Sequence, residues 1–241
     1  MIETRNLVKT FVNGDIITPV LKGVDFKAEA GEFIAIMGRS GAGKSTFLYQ
    51  MSLLDEPTEG EIIIDGRVAH TMTEAEKADF RLVKFGYVFQ DYALLPELTA
   101  LENVLVPLMM MDYEHGHNLE VARIALERVN LGGKLDSLPS RLSGGEQQRV
   151  SIARAIADKP AILFADEPTA NLDRESSDQV MDLFLELHEA GQTIIMVTHE
   201  EEYARLADRV VRFDDGKIVT AEHQGHEKKG THRRRQHENT H

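Results

Sequence analysis

Cysteine is absent from the 241 residues. That excludes disulfides, zinc sites of the thiolate type and any cysteine nucleophile. Long apolar runs are absent as well. The richest such segment, residues 104–111 (VLVPLMMM), falls far short of the ~20 residues a membrane-crossing helix needs, and it holds Pro107. The opening MIETRNLVKTF lacks the apolar core of a signal peptide. The expectation is a cytoplasmic chain that reaches the inner face of a membrane only through a partner. Excess positive charge is missing too: 27 Lys and Arg stand against 40 Asp and Glu, a net charge of −13. A sequence-independent grip on phosphate backbones needs basic surface, so no nucleic-acid partner is expected. A local nucleotide site remains open, because a few backbone amides and one lysine can set the field there.

What is present is a hydrophobic fraction of 42%, ordinary for a chain that buries a core. Short apolar runs recur at residues 33–37 (FIAIM), 161–165 (AILFA), 193–197 (TIIMV) and 209–213 (RVVRF). Apolar without clean alternation and separated by helical stretches, they predict a mainly parallel sheet covered on both faces. Residues 20–26 alternate and residues 61–65 (EIIID) are short, which predicts antiparallel pieces. Val180, Leu183, Phe184 and Leu187 recur at helical spacing before a stop at Gly191. Thr99 and Glu102 form a capping box. Residues 91–158 show no strand pattern and read as a helical insertion.

The strongest local signal is Gly38-Arg39-Ser40-Gly41-Ala42-Gly43-Lys44-Ser45, which matches G-x-x-x-x-G-K-[ST] between an apolar strand and a helical pattern. From average composition such a match arises in roughly one chain in a hundred of this length. Glycines let backbone N–H groups wrap phosphate oxygens, and the helix start adds positive dipole. Lys44 then reaches the β- and γ-phosphates, and the Ser45 hydroxyl ligates Mg²⁺. Downstream, residues 162–167 (ILFADE) end an apolar run on two acids. Asp166 is placed to hold the Mg²⁺ of such a site, and Glu167 to orient or deprotonate the attacking water. An Asp-Glu pair after a strand is commonplace, and the phosphate loop upstream is what gives it weight. Leu142-Ser143-Gly144-Gly145-Glu146 admits two readings. Ser143 and Glu146 make a capping box, whereas adjacent glycines at a helix start open amides to an anion. Spacing alone leaves both open.

Phosphate loop, LSGGE, LFADEPT and VTHE, in this order over residues 1–219, resemble the ATP-binding cassette ATPases. The resemblance implies an α/β P-loop NTPase core, an antiparallel β subdomain and a helical signature subdomain at about 91–158, all within residues 1–221. It implies ATP and Mg²⁺ as ligands and ATP hydrolysis as the activity. Phe11 resembles the aromatic residue that stacks on adenine, with Val20 and Thr46 completing the nucleotide contacts. Gln90 resembles the glutamine that touches Mg²⁺ and couples the helical subdomain to the core. Asp173, in Ala170-Asn171-Leu172-Asp173, resembles a dimer contact, and His199 the histidine that meets the γ-phosphate. Ser143, Gly144, Gly145 and Glu146 would complete the ATP site of a second copy or of a paired cassette, so a head-to-tail dimer around two ATPs is implied.

Residues 94–104 (LLPELTALENV) resemble the branch serving lipoprotein release and macrolide export. An integral membrane permease is the partner this implies. The competing class is a soluble cassette ATPase acting on nucleic acid or the ribosome. The ~100 residues between phosphate loop and signature leave little room for the coiled-coil insertion of repair proteins, and the second cassette of translation factors is absent. The apolar side chains of Tyr92, Leu94, Leu95, Leu98 and Met109 to Met111 predict that the surface over residues 91–108 docks a short helix of the partner, against the alternative that they form the subdomain's own core. Residues 222–241 carry five His and five Lys or Arg with no large apolar side chain, and read as a solvated tail.

Overall fold

The computed structural model describes residues 1–111 and 115–224, folded around two sheets. The first is antiparallel: β1 (Ile2–Asn13), β2 (Ile16–Ala28), β4 (Glu59–Ile64) and β5 (Arg67–Val68), in the order β2-β1-β4-β5. The second has the order β10-β9-β3-β8-β7-β6. In it β3 (Phe33–Gly38), β6 (Phe85–Val88), β7 (Ile162–Asp166), β8 (Thr193–Val197) and β9 (Arg209–Asp214) run parallel. β10 (Lys217–His223) adds an antiparallel edge on β9.

The central parallel strands β3, β7 and β8 are almost wholly apolar and buried because both of their faces are covered. Side chains alternate across a strand, and β3 divides accordingly. Phe33, Ala35 and Met37 join one buried cluster, whereas Ile34 and Ile36 join the other. The first cluster is closed by α3 (Ala100–Leu108), α4 (His115–Arg128), α5 (Gly144–Ile156) and α6 (Arg174–Glu189), through Val104, Leu126, Ile152 and Phe184. The second is closed by α1 (Lys44–Met51) and the antiparallel sheet, where Phe47 meets Phe26 edge-on at 5.4 Å and Phe213 at 5.0 Å. Two further helices, α2 (Glu74–Lys84) and the short α7 (Glu201–Ala204), lie in the connections. Among the described residues, 91–158 carry helices and no strand.

Four elements carry weaker sequence signals. β1 mixes buried and exposed positions without a steady period, because bulges between Thr4 and Leu7 and between Lys9 and Thr10 break its register. β6 is four residues long and follows α2 directly. A Cβ on its Gly86 would lie 2.2 Å from the Ala155 carbonyl, so α5 and β6 approach closely only with glycine there. α2 is announced by a Thr73–Glu76 capping box of the same kind as at Thr99. β10 is mostly exposed and extends the fold past residue 221: Glu222 and His223 pair with Val210 and Arg209, and the Gln224 N–H donates to the Asp208 carbonyl at 2.8 Å. The rest of the expected tail, from His226 to His241 with Arg233, Arg234 and Arg235, lies outside the described residues.

Candidate functional site

The C-terminal ends of β3, β7 and β8 are neighbours in the parallel sheet, and each delivers a sequence-predicted group. β3 ends at Gly38, whose φ is +153°. A Cβ there would sit 2.3 Å from the Phe213 carbonyl, so the chain can leave the sheet at this point only as glycine. The loop turns through Arg39, Ser40 and Gly41, closes with the Ala42 N–H donating to the Arg39 carbonyl at 3.2 Å, and enters α1 at Gly43. Gly43 has φ +99°, and a side chain would meet the Val20 carbonyl at 2.9 Å. Val20 is therefore the wall beneath the loop. The first N–H groups of α1, at Lys44, Ser45 and Thr46, have no intrahelical acceptor, which leaves a ring of donors over the loop. Lys44 is buried, and its Nζ donates to the Gly38 and Arg39 carbonyls at 3.0 Å each, so its charge is held at the loop's centre.

At the end of β7 the Asp166 carboxylate is buried and accepts a hydrogen bond from Ser45 Oγ at 2.9 Å, across 121 residues of sequence. Burial holds Asp166 above the usual carboxylate range, opposed by the Ser45 hydrogen bond. Two oxygen donors at one point, one of them anionic, suit a hard cation such as Mg²⁺. Glu167 follows with φ +45°, a left-handed conformation that costs a non-glycine residue about 1 kcal/mol or more. Its N–H donates to the Val197 carbonyl at 3.0 Å, which ties the turn to the end of β8. Just past β8, His199 Nδ1 lies 3.3 Å from Glu167 Oε2. The histidine is 58% exposed and the glutamate 21%, so the pair faces outward from the buried Asp166.

Gln90 is exposed two residues past β6. Among the described residues its side chain makes no hydrogen bond to Ser45 or Asp166. Its backbone is engaged instead, since Asn171 Nδ2 donates to the Gln90 carbonyl at 3.2 Å and to Asp91 Oδ1 at 3.3 Å. Phe11 projects from the β1–β2 hairpin, 46% exposed.

The signature residues lie at the start of α5, and no hydrogen bond or ion pair among the described residues joins them to the phosphate loop. Ser143 Oγ accepts from the Glu146 N–H at 3.2 Å while Glu146 Oε2 accepts from the Ser143 N–H at 2.9 Å, so the capping box is formed. Gly145 is packed against Ser176, and Gly144 against the Tyr92 hydroxyl. Asp173 is the N-cap of α6, with its Oδ1 accepting from the Ser176 N–H at 2.8 Å. That bond holds the Asp173 carboxyl below its usual range.

An apolar recess of about 250 Å³ lies beside β6, lined in part by Phe85, Tyr87, Val106, Met110 and Met111. Of the residues expected to dock a partner, Leu95, Met109 and Met110 are exposed, whereas Leu94 and Met111 pack against the core. Among the described residues no helix is long and apolar enough to cross a membrane.

The family profile described as ABC transporter matches residues 21–170. An uncharacterized ABC transporter ATP-binding protein of Methanocaldococcus jannaschii is 48% identical over 219 residues, spanning 91% of this chain and 98% of that one. The lipoprotein-releasing system ATP-binding protein LolD of Aquifex aeolicus is 49% identical over 200 residues, 83% of this chain and 89% of that one. The macrolide export ATP-binding/permease protein MacB of Brucella melitensis is 44% identical over 220 residues, which span 91% of this chain but 34% of that longer protein. A solved dimeric cassette in a post-hydrolysis state, bound to ADP and Pi, superposes with a TM-score of 0.87 at 39% identity, covering 93% of this chain and 99% of that one.

Proposed function

Because the chain belongs to the ABC transporter ATP-binding family, and so is an ATP-binding and ATP-hydrolysing subunit, we propose that it works as a head-to-tail dimer that drives an integral membrane permease. The observation that carries the reading is the convergence at the ends of β3, β7 and β8: Ser45 against Asp166 at 2.9 Å, and Glu167 against His199 at 3.3 Å, beside the buried Lys44.

In this reading the loop amides and Lys44 bind the phosphates, and Phe11 stacks on the base. Ser45 and Asp166 hold Mg²⁺, with Gln90 approaching as the helical subdomain moves. When bound, the ion neutralises charge on the terminal phosphates and fixes their orientation. Glu167 takes the proton of the attacking water, and its fixed left-handed backbone aims the carboxylate outward from Asp166. His199, within reach of Glu167, meets the terminal phosphate and orients that carboxylate. Ser143, Gly144, Gly145 and Glu146 act on a second copy's nucleotide, with Asp173 at the contact between copies.

The relatives support the partner. One is named for lipoprotein release, and another carries cassette and permease in one chain. We place the permease's docking helix over Leu95, Met109, Met110 and the recess beside β6. Tyr87 lines that recess and its ring lies 6.0 Å from that of Tyr49 on α1, one turn past Ser45, so a shift there reaches the phosphate loop through packed rings. The chain would then sit peripherally on the cytoplasmic face of the membrane.

Calorimetric titration of ATP into Lys44→Ala tests the phosphate-binding core of this reading. The variant deletes the one charge held at the loop's centre, and affinity should fall by at least tenfold. Unchanged affinity would remove Lys44 from the site.

A further inference from the structure

The β1–β2 hairpin that carries Phe11 is an exposed arm: Val12, Ile16 and Ile17 at its tip are 70%, 67% and 69% exposed. An isolated two-stranded arm is marginal in water, yet a ring that is to stack on a base must be held still. Two brackets tie the arm to the segment that follows α1. Thr58 donates its N–H to the Val8 carbonyl at 2.8 Å and accepts the Thr10 N–H on its hydroxyl at 2.9 Å. Between them, Lys9 donates from Nζ to Asp55 Oδ1 at 2.7 Å and to the Glu56 carbonyl at 2.6 Å. Asp55 is held in turn through its other oxygen by Gln50 Nε2 at 2.8 Å, and Gln50 is fully buried in α1, the helix that starts at the phosphate loop. The same Lys9 ammonium stands 4.9 Å from the centroid of the Phe11 ring. Only 13% of the Lys9 side chain is exposed, so this cation is largely withdrawn from water, where its attraction for a ring face strengthens.

We infer that Lys9 is a positioning residue of the nucleotide site, fixing the Phe11 ring from behind and linking its orientation to the phosphate loop through Asp55 and Gln50. The inference rests on the reading of Phe11 as the base platform. Lys9 occupies one face of the ring and leaves the other for the base. The ring's rotamer is then set before the nucleotide arrives, so less freedom is lost on binding. The device reads no hydrogen-bond edge, so it serves affinity for nucleotides in general and does not distinguish adenine from guanine.

The test uses calorimetry with two probes, ATP and inorganic tripolyphosphate, on the whole chain. Lys9→Met keeps the stem and removes the charge. It should weaken ATP binding about three- to tenfold, the range of a partly desolvated cation–ring contact, and leave tripolyphosphate binding unchanged. Lys9→Arg, which keeps a cation over the ring, should recover most of the loss. In a Phe11→Ala background, Lys9→Met should cost nothing further. Loss of tripolyphosphate affinity, or an undiminished loss of ATP affinity in the Phe11→Ala background, overturns the inference and makes Lys9 an anchor of the fold. Wild-type ATP affinity in Lys9→Met, with weakened binding in Phe11→Ala, overturns it while sparing the platform. Wild-type ATP affinity in Phe11→Ala overturns the platform itself, and this inference with it.

Discussion

Replacing Glu167 by glutamine isolates one chemical property, because the structure keeps everything else in place. The side chains are isosteric, and the two hydrogen bonds that fix the turn belong to the backbone: Glu167 N–H to the Val197 carbonyl at 3.0 Å and Ala170 N–H to the Glu167 carbonyl at 3.1 Å. The left-handed φ of +45° is equally strained in either residue. An amide oxygen still meets His199 Nδ1. Lys44, Ser45 and Asp166 are untouched, so ATP should bind as before. What vanishes is a group able to accept the proton of water. Removal of a general base costs about 10²–10⁴-fold, or about 2.7–5.4 kcal/mol of barrier at 1.36 kcal/mol per decade. Single-turnover hydrolysis of labelled ATP should slow by that factor, while gel filtration with Mg·ATP should show a dimer that persists. Turnover within about threefold of wild type would refute the role of Glu167 as base.

Two other expectations bear on the surface and the chain end. Met110→Glu and Leu95→Glu, both at exposed positions, should leave basal hydrolysis within about twofold and abolish co-purification with the membrane partner, since a buried unpaired carboxylate is costly. Retained association would move the docking surface elsewhere, and unfolding would return these side chains to the core. A chain ending at Gln224 should keep its melting temperature, dimerisation and basal hydrolysis, because the last pairings on β9 and the Gln224–Asp208 bond are preserved. A chain ending at Ala221 removes two strand pairs and should melt lower. Equal melting of the two would make the end of β10 irrelevant.

How much of this could be read from residues alone depended on whether the signal was local. β3 and β8 stood out because a strand buried on both faces is apolar nearly throughout, and β9 by its apolar Val210, Val211 and Phe213 beside two arginines. β7 was found one residue off, ending on Asp166 itself rather than before it. β1 and β10 were obscured by exposure: a strand with one wet face and interrupted register has no steady period. α2 went unread, although Thr73 and Glu76 have the capping-box spacing recognised at Thr99 and Ser143.

In the site, the phosphate loop was legible because consecutive residues build it. The Asp166–Glu167 pair gained meaning only from that loop, and the structure joins them through Ser45. Phe11, Gln90, Asp173 and His199 came from resemblance, since single residues at loop ends have no pattern of their own. The structure brings His199 to Glu167, whereas among the described residues no hydrogen bond joins the Gln90 side chain to Ser45 or Asp166. Lys9 went unnoticed because its partners are Asp55, 46 residues away, and a ring on its own strand. One lysine in a charged strand carries no mark of such a contact.

The central claim is that each hydrolytic site takes its phosphate loop from one copy and its signature from another, and mixing two inactive variants tests it. Lys44→Ala disables the loop. Ser143→Asp keeps a good N-cap for α5 and sets a negative charge where the other copy's phosphates would lie. If sites form between copies, a mixed dimer holds one site with both defects and one with neither. Random pairing of equal amounts then restores about a quarter of wild-type hydrolysis, from half the dimers with one sound site in two. A mixture no more active than either variant alone would place both elements of the site within a single chain and contradict the account.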